Sequence, residues 1–163
     1  MLRWIVGVVG AVVVGLSAWL VVLVVGMRTK SPRLLGVVRR FNRAVTNRLQ
    51  RRSAGRPGAY ASVMRHQGRT SGRAYETPIV PFAVDGGFVI PLPYGADTDW
   101  LKNVVARGSA VLVTDGRTFT VDRPEVIATD TVGDAFPPGE RRTHRWFGVT
   151  HCLRVRGVEA EPA

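Results

Sequence analysis

Three patterns of apolar and polar residues follow one another along this chain. Residues 4–26 are apolar apart from Ser17, which gives a run of 23 residues. As an α-helix, this run would span roughly 34 Å, slightly more than the hydrocarbon core of a bilayer. Arg28, Lys30 and Arg33 follow it directly, without the small-residue cleavage site of a secretory signal peptide. The pattern predicts a transmembrane helix or an uncleaved signal anchor.

A basic amphipathic stretch comes next. Ser31 and Pro32 supply the capping hydroxyl and the first-turn proline that are typical of a helix start. Apolar residues then recur at steps of three or four with arginines between them, at Leu34, Val38, Phe41, Val45 and Leu49. The pattern predicts an amphipathic helix over residues 31–52 and leaves two interpretations open. Either the helix lies on anionic lipid headgroups, or it packs its apolar face on the soluble domain.

From residue 59 onwards the pattern changes to short strands. Runs rich in β-branched and aromatic residues predict strands over 59–66, 74–84, 88–92, 109–114, 118–122 and 151–157. Asp85-Gly86-Gly87 and Asp115-Gly116 are hairpin signals, so at least two antiparallel pairs are expected. Pro78 and Pro81 cannot donate to a ladder, so the second run should lie at an edge, a bulge or a barrel seam.

Helices are predicted in two places among the strands. Residues 97–108 predict a short helix that Asp97 and Asp99 cap and Gly108 ends. Residues 139–147 favour another. The predicted fold class is mainly β (α+β): a split barrel of about six antiparallel strands with one or two short helices. The predicted domains are a transmembrane anchor (1–27), a basic helix with a linker (28–58) and the barrel (59–163).

The distribution of charge limits the choice of partners. The formal net charge is +11, yet residues 1–75 carry fourteen bases and no acid, whereas residues 76–163 carry nine bases and twelve acids. A nucleic-acid-binding module should carry its positive charge on the folded part that meets the phosphates. Nucleic acid is therefore not expected as a partner, and binding through residues 28–56 is kept as a third hypothesis.

The same charges predict an orientation in the membrane. Arg3 alone flanks the first end of the apolar run, while several bases follow its other end. The positive-inside rule then places the N-terminus outside and the barrel in the cytoplasm. Cys152 is the only cysteine, so no intrachain disulfide is possible. The histidines and Cys152 do not fall at a metal-site spacing, and no metal is expected.

Residues 67–78 pack glycines, arginines and small hydroxyls between two predicted strands. Gly68 and Gly72 permit positive φ and a close backbone approach, so that amides can point at a phosphate. Charge and hydrogen-bond donors come from Arg69, Thr70, Ser71 and Arg73. By spacing alone, the stretch is compatible with an anion-binding turn and with a plain hairpin turn whose arginines are solvated.

Three motifs stand in a fixed order in this part of the chain. They are His66-Gln-Gly-Arg-Thr-Ser-Gly-Arg-x-Tyr-x-Thr-Pro78, then Asp85-Gly-Gly, then Leu92-Pro-Tyr-Gly-Ala-Asp-Thr-Asp-Trp-Leu-Lys-Asn103. This order resembles the deazaflavin (coenzyme F420)-dependent nitroreductase family of split β-barrel oxidoreductases, over roughly residues 59–157. The resemblance implies that the barrel binds coenzyme F420 and that a hydride passes from the reduced coenzyme to an acceptor.

The resemblance also implies a coenzyme groove. The family's turn at the phosphate end of the coenzyme falls on Gly68, Arg69, Ser71 and Gly72, with Thr77 and Pro78 following. Its loop beside the deazaflavin falls on Pro93, Tyr94, Gly95 and Ala96, and its Trp-x-x-Asn motif falls on Trp100 and Asn103, which share a helix face. Together with Thr70 and Arg73 from the turn, these are the predicted cofactor-binding residues.

The predicted catalytic residue is Tyr94, as a donor to the oxyanion that forms on the acceptor, with His144 as the second candidate. Family members with nitroimidazole activity carry tyrosines in a C-terminal segment, where this chain has Phe136, Trp146 and Phe147. The substrate therefore cannot be carried over. A quinone-like or nitro compound is the expected acceptor, because the anchor would hold the barrel at the bilayer. The alternative is a non-catalytic membrane protein that binds a cofactor or lipid.

Overall fold

The computed structural model describes residues 2–41 and 53–160. Helix α1 (Leu2–Thr29) is continuous, and its part from Gly7 to Thr29 is long and apolar enough to cross a membrane, with a mean hydropathy of 2.8. The predicted apolar helix is therefore present. That it spans a membrane is supported by its length and composition.

Helix α2 (Pro32–Phe41) folds back onto the end of α1. Lys30 takes a left-handed conformation between them, with φ of 52°. Val38 is fully buried. Leu34 lies close to Gly26, because a Cβ added at Gly26 would be 3.0 Å from the Leu34 Cβ. The predicted helix start at Pro32 is confirmed. Val45 and Leu49 lie outside the described residues, so the rest of the amphipathic stretch stays a prediction.

The predicted β-rich fold is confirmed as one antiparallel sheet of seven strands. The strands are β1 (Ser62–Gln67), β2 (Ala74–Ile79), β3 (Phe82–Val84), β4 (Gly87–Pro91), β5 (Ser109–Thr114), β6 (Arg117–Ala128) and β7 (His151–Glu159). Their order across the sheet is β2-β1-β5-β6-β7-β4-β3. The expected hairpins at Gly86 and Gly116 join β3 to β4 and β5 to β6.

A two-residue connection forces this sheet to curl. Strands β2 and β3 lie at opposite edges of the sheet, yet only Val80 and Pro81 separate them in the chain. The Cα atoms of Ile79 and Phe82 can therefore be at most roughly 11 Å apart. The two edges must approach each other without a hydrogen-bonded ladder between them, which is the geometry of a split barrel. The prediction that this run lies at an edge, a bulge or a barrel seam is confirmed, and the connection splits one predicted strand into two.

Strand β6 is longer than predicted. Its pairing with β7 shifts register between Asp122 and Glu125, where Arg123 has φ of 50°. Pro124 lies in this irregularity, where its missing N–H breaks no regular ladder position. The strand therefore continues past Pro124 to Ala128, six residues beyond its predicted end at Asp122.

Three further elements lie between the strands. Helix α3 (Asp99–Arg107) ends as predicted at Gly108, which is left-handed and donates its N–H to Val104 O over 2.9 Å. Its N-cap residue is Thr98, so the predicted capping by Asp97 and Asp99 is wrong. A 3₁₀ segment (Thr129–Ala135) and helix α4 (Pro138–Trp146) connect β6 to β7. The predicted helix over 139–147 is confirmed.

The main core lies inside the curled sheet. It joins strand residues such as Met64, Leu112 and Leu153 to Leu101 and Val104 of α3. Helix α3 is amphipathic, so burying these two side chains presents the opposite helix face to solvent. The core therefore fixes the position of α3 against the sheet. The division of the chain into three domains stays a prediction.

Candidate functional site

The turn between β1 and β2 is closed by its own backbone. Gly68 N donates to Arg73 O and Gly72 N donates to Gly68 O, each over 2.8 Å. A Cβ at Gly68 would lie 2.5 Å from Ser71 Oγ and 2.9 Å from the Tyr75 ring, and Gly72 has φ of 65°. Both predicted turn glycines are therefore required by the conformation.

Asn103 ties this turn to α3. Its side-chain oxygen accepts hydrogen bonds from Arg69 N (3.1 Å) and from Arg69 Nη1 (3.0 Å). Arg69 Nη2 donates to Asp99 Oδ1 over 3.3 Å. Two residues that the sequence assigned to the coenzyme thus bind each other, and Asn103 is buried between the turn and the sheet.

His66 extends this contact to β2. Asn103 Nδ2 donates to His66 Nδ1 over 3.3 Å, which leaves His66 Nε2 to donate to Thr77 Oγ1 over 3.0 Å. Burial lowers the pKa of His66, in agreement with a neutral ring. The motif began at His66, but sequence reasoning gave this residue no role. It connects Thr77 to Asn103.

Part of the turn keeps donors that no described residue uses. The backbone N–H groups of Thr70 and Ser71 donate to no group in residues 2–41 and 53–160. Arg73 is exposed and makes no ion pair with the described part of the chain. Lys102, by contrast, is paired with Asp97. The donors available to an anion are therefore the amides at the tip of the turn and the Arg73 guanidinium.

A second group of predicted residues lines a cavity of about 280 Å³ at the barrel seam. From the predicted set it includes Pro78, Pro93, Tyr94, Gly95 and Trp100. Most other lining side chains are apolar, among them Ile79, Phe82, Ile90 and Leu92. Ala96 and the turn residues do not line the cavity, and the catalytic role of Tyr94 stays a prediction. The structure thus divides the predicted site into the turn and the cavity.

Helix α3 connects these two parts. Trp100 lies on the cavity side and packs against the main core, while Asn103, one turn later, holds Arg69. Residues three positions apart lie on the same side of a helix. The Trp-x-x-Asn spacing therefore places the cavity wall and the turn attachment on one rigid element.

Helix α4 supplies a wall of the cavity that sequence reasoning largely missed. Glu140, Thr143 and His144 line it, together with Tyr60. His144 Nε2 lies 3.8 Å from Glu140 Oε2. Burial lowers the pKa of His144, and Glu140 opposes that shift. Partial burial and Glu140 raise the pKa of Tyr60. The four-residue spacing of Glu140 and His144 was the available signal, since it puts both on one helix face.

Two buried polar atoms at this cavity have no hydrogen-bond partner among the described residues. They are Thr98 Oγ1 and His144 Nδ1, in side chains that belong to residues only 8% and 7% exposed. A buried polar group without a partner costs about 1–3 kcal/mol. Such groups at a cavity indicate where a ligand with hydrogen-bonding atoms would be stabilised.

The C-terminal end of α1 also contacts the cavity. Met27 lines it and is 7% exposed. Lys30 Nζ donates to Pro93 O over 2.8 Å, and burial lowers the pKa of Lys30. A Cβ at Gly148 would lie 3.5 Å from the Arg28 Cα. Helix α1 therefore ends against the loop that contains Tyr94 and against the cavity that Tyr94 lines.

Solved structures with a similar fold include the F420-H2 dependent reductase FDR-A, with a TM-score of 0.41 and 14% identity over 60% of this chain and 94% of that one. The conserved hypothetical protein Rv2991 from Mycobacterium tuberculosis matches with a TM-score of 0.42 and 11% identity, over 63% of this chain and 78% of that one. A structure described as a domain-swapped dimer matches with a TM-score of 0.40 and 15% identity, over 77% of this chain and 100% of that one. No protein-family model matches the chain, and a search of curated proteins found no match.

Proposed function

We propose that this protein is a membrane-anchored oxidoreductase that uses coenzyme F420 and reduces a quinone-like or nitro acceptor. The observation that carries the proposal is the arrangement around α3. Helix α3 holds the turn through Asn103, and no described residue uses the amides at the tip of that turn. The same helix lines an apolar cavity with Trp100. A coenzyme with a phosphate end and a flat heterocycle requires both features: donors for the phosphate and an apolar surface for the ring.

The residues present fit such a coenzyme at both ends. At the turn, the amides of Thr70 and Ser71 and the guanidinium of Arg73 would hold phosphate. At the cavity, Trp100 and the loop with Tyr94 would hold the ring system. The Thr98 hydroxyl, which has no partner in the described part of the chain, lies at the same wall as Trp100 and offers one more polar contact.

When bound in its reduced form, the coenzyme supplies a hydride, so the chain need not provide a nucleophile. The chain's part is to position the acceptor, to exclude water and to stabilise the charge that forms. Phe82, Ile90 and Leu92 line the cavity and exclude water. Tyr94 remains a candidate hydrogen-bond donor to the acceptor, and His144 is another.

The membrane helix supports an acceptor that is lipid-soluble. Met27 contributes to the cavity wall, and Lys30 is held by Pro93 O beside it. An apolar acceptor leaving the bilayer would therefore meet the cavity close to the end of α1. With the positive-inside rule, the barrel faces the cytoplasm.

Binding of oxidised F420 to the purified protein in detergent, followed by its fluorescence, tests the first half of the proposal. Flavin mononucleotide serves as the competing ligand, and F420 should bind in preference to it. Anaerobic mixing of the reduced coenzyme with menadione, or with a nitroimidazole, then tests turnover. Absence of F420 binding would overturn the proposal.

The second candidate is a membrane-anchored protein that binds a cofactor or lipid without turning it over. The apolar lining of the cavity and its contact with Met27 favour it, since a lipid chain would also fit there. Coenzyme binding without oxidation by menadione or the nitroimidazole would support this candidate.

A further inference from the structure

We propose that Glu140 and His144 form a proton-delivery pair for the acceptor, in which His144 donates and Glu140 returns the proton from solvent. This inference rests on the proposed function and names residues that act within the same cavity. It gives helix α4 a chemical role beyond that of a wall.

The geometry supports the pair in three respects. Both residues lie on one face of α4 and both line the cavity. His144 Nε2 is 3.8 Å from Glu140 Oε2, so a proton on the imidazole would face a carboxylate. The Glu140 side chain is 26% exposed while that of His144 is 9% exposed, so the pair reaches from solvent to the buried wall.

The second nitrogen of His144 is not used for structure. Nδ1 has no hydrogen-bond partner in the described part of the chain. The ring is held by Phe136, whose centroid lies 4.7 Å away at an interplanar angle of 87°, and more distantly by Phe82. Nε2 therefore faces Glu140, while Nδ1 is left without a partner among the described residues and is the nitrogen that can serve the acceptor.

The chemical step balances with this source of protons. Hydride transfer brings two electrons and one proton to the acceptor and leaves an oxyanion on it, while the coenzyme is oxidised. An N–H bond of the His144 imidazolium then breaks and an O–H bond forms on the acceptor. The neutral imidazole recovers its proton from solvent by way of Glu140.

The charges around the pair determine how it responds to pH. Tyr60 adjoins Glu140, and Phe82 and Phe136 bring no charge. On the other side, His144 borders a second cavity that is also lined by Asp130, Arg141 and Arg145. The imidazolium is the donating form of His144 and becomes more populated as the pH falls, although burial lowers its pKa. The reduction rate should therefore rise as the pH falls from about 8 to about 6.

The kinetic test uses the full-length protein in detergent, loaded with reduced F420 and mixed anaerobically with menadione. His144→Gln should slow oxidation of the coenzyme about 100-fold and remove the rise at low pH. Glu140→Gln should slow it about tenfold. His151→Gln, at an exposed histidine on β7, is the matched control and should retain the wild-type rate. A His144→Gln rate within twofold of wild type, with the same pH profile, would overturn the pair.

A second readout needs no coenzyme. The chain has three histidines, so their ring signals in a ¹H–¹³C spectrum can be assigned with single His→Gln variants. Glu140→Gln should lower the pKa of His144 further, since the carboxylate favours the charged ring. Menadione should shift the His144 signal and leave that of His151 in place. A His144 signal that changes neither in Glu140→Gln nor on addition of menadione would contradict the proposal.

These experiments separate the two proposals. Failure of the wild-type protein to bind F420 would remove the proposed function. Normal F420 binding with an unchanged rate in His144→Gln would remove only the proton-delivery pair. Glu140→Gln, at the more exposed position, keeps the pair testable if His144→Gln does not fold.

Discussion

The turn and the wall of the cavity treat their polar groups in opposite ways. At the turn, Arg69 is exposed and Asn103 is buried, and each has partners within the chain. At the wall, Thr98 Oγ1 and His144 Nδ1 are buried and have none among the described residues. The difference teaches that motif residues such as Arg69 and Asn103 also maintain the fold. The two polar groups without a partner among the described residues lie at the cavity, Thr98 inside the third motif and His144 outside all three.

The largest effect is expected at Asn103. Asn103→Ala removes the acceptor of Arg69 N and the partner of His66 Nδ1, which leaves buried polar groups unpaired. The free energy of unfolding should fall by about 2–3 kcal/mol, measured by thermal or denaturant unfolding of the ligand-free protein. Lys102→Ala, at the adjacent exposed position, should change it by less than about 0.5 kcal/mol. Equal stabilities would mean that the turn does not depend on this network.

The next effect separates the two arginines of the turn. Arg73→Ala should weaken F420 binding about tenfold or more, because a charge-assisted hydrogen bond contributes about 1.5–3 kcal/mol. Arg69→Ala should also weaken binding, but less, because Arg69 must first leave Asp99 and Asn103. Arg65→Ala, at an exposed arginine paired with Glu76, is the control for lost charge. The reverse order of Arg69 and Arg73 would assign the phosphate to Arg69.

A smaller effect of opposite sign is expected at Asp99. Its carboxylate holds Arg69 from a side chain that is 84% exposed. Asp99→Asn should release the guanidinium and strengthen F420 binding severalfold, since an exposed ion pair contributes at most about 1 kcal/mol. The titration used for Arg73→Ala measures this as well. Weaker binding in Asp99→Asn would show that Asp99 positions Arg69 for the ligand.

The smallest effect concerns the wall. Thr98→Val removes a buried hydroxyl that has no partner in residues 2–41 and 53–160 and makes no capping hydrogen bond there. The ligand-free protein should therefore keep its stability or gain up to about 1 kcal/mol, in contrast to Asn103→Ala. Thr98→Ser, which keeps the hydroxyl, is the control. A clear loss of stability in Thr98→Val alone would show that the hydroxyl is satisfied in solution.

Local chemistry predicted much of the barrel from the sequence. The glycine turns fixed the hairpins, Gly108 fixed the end of α3, and the prolines of the second run indicated the seam. Each of these depends on the conformations open to one or two residues. The continuation of β6 past Pro124 could not be predicted, because a proline is tolerated there only by an irregularity in pairing with β7.

The arrangement of the site was predictable only in part. The motif identified Arg69 and Asn103 but not their bond to each other, which joins residues 34 positions apart. The contribution of Glu140 and His144 depends on α4 covering a cavity formed by β2, β4 and the loop of Tyr94. No periodicity encodes such a contact, since it follows from how the sheet curls.

The two-residue connection at Val80 and Pro81 has a mechanical consequence. The edges that it joins share no backbone ladder, so the width of the barrel there depends on side chains and on whatever fills the gap. A bound molecule that contacts Ile79 on one edge and Phe82 on the other would hold the two edges at a fixed distance. Binding at this site should then slow amide hydrogen exchange in β2 and β3 together.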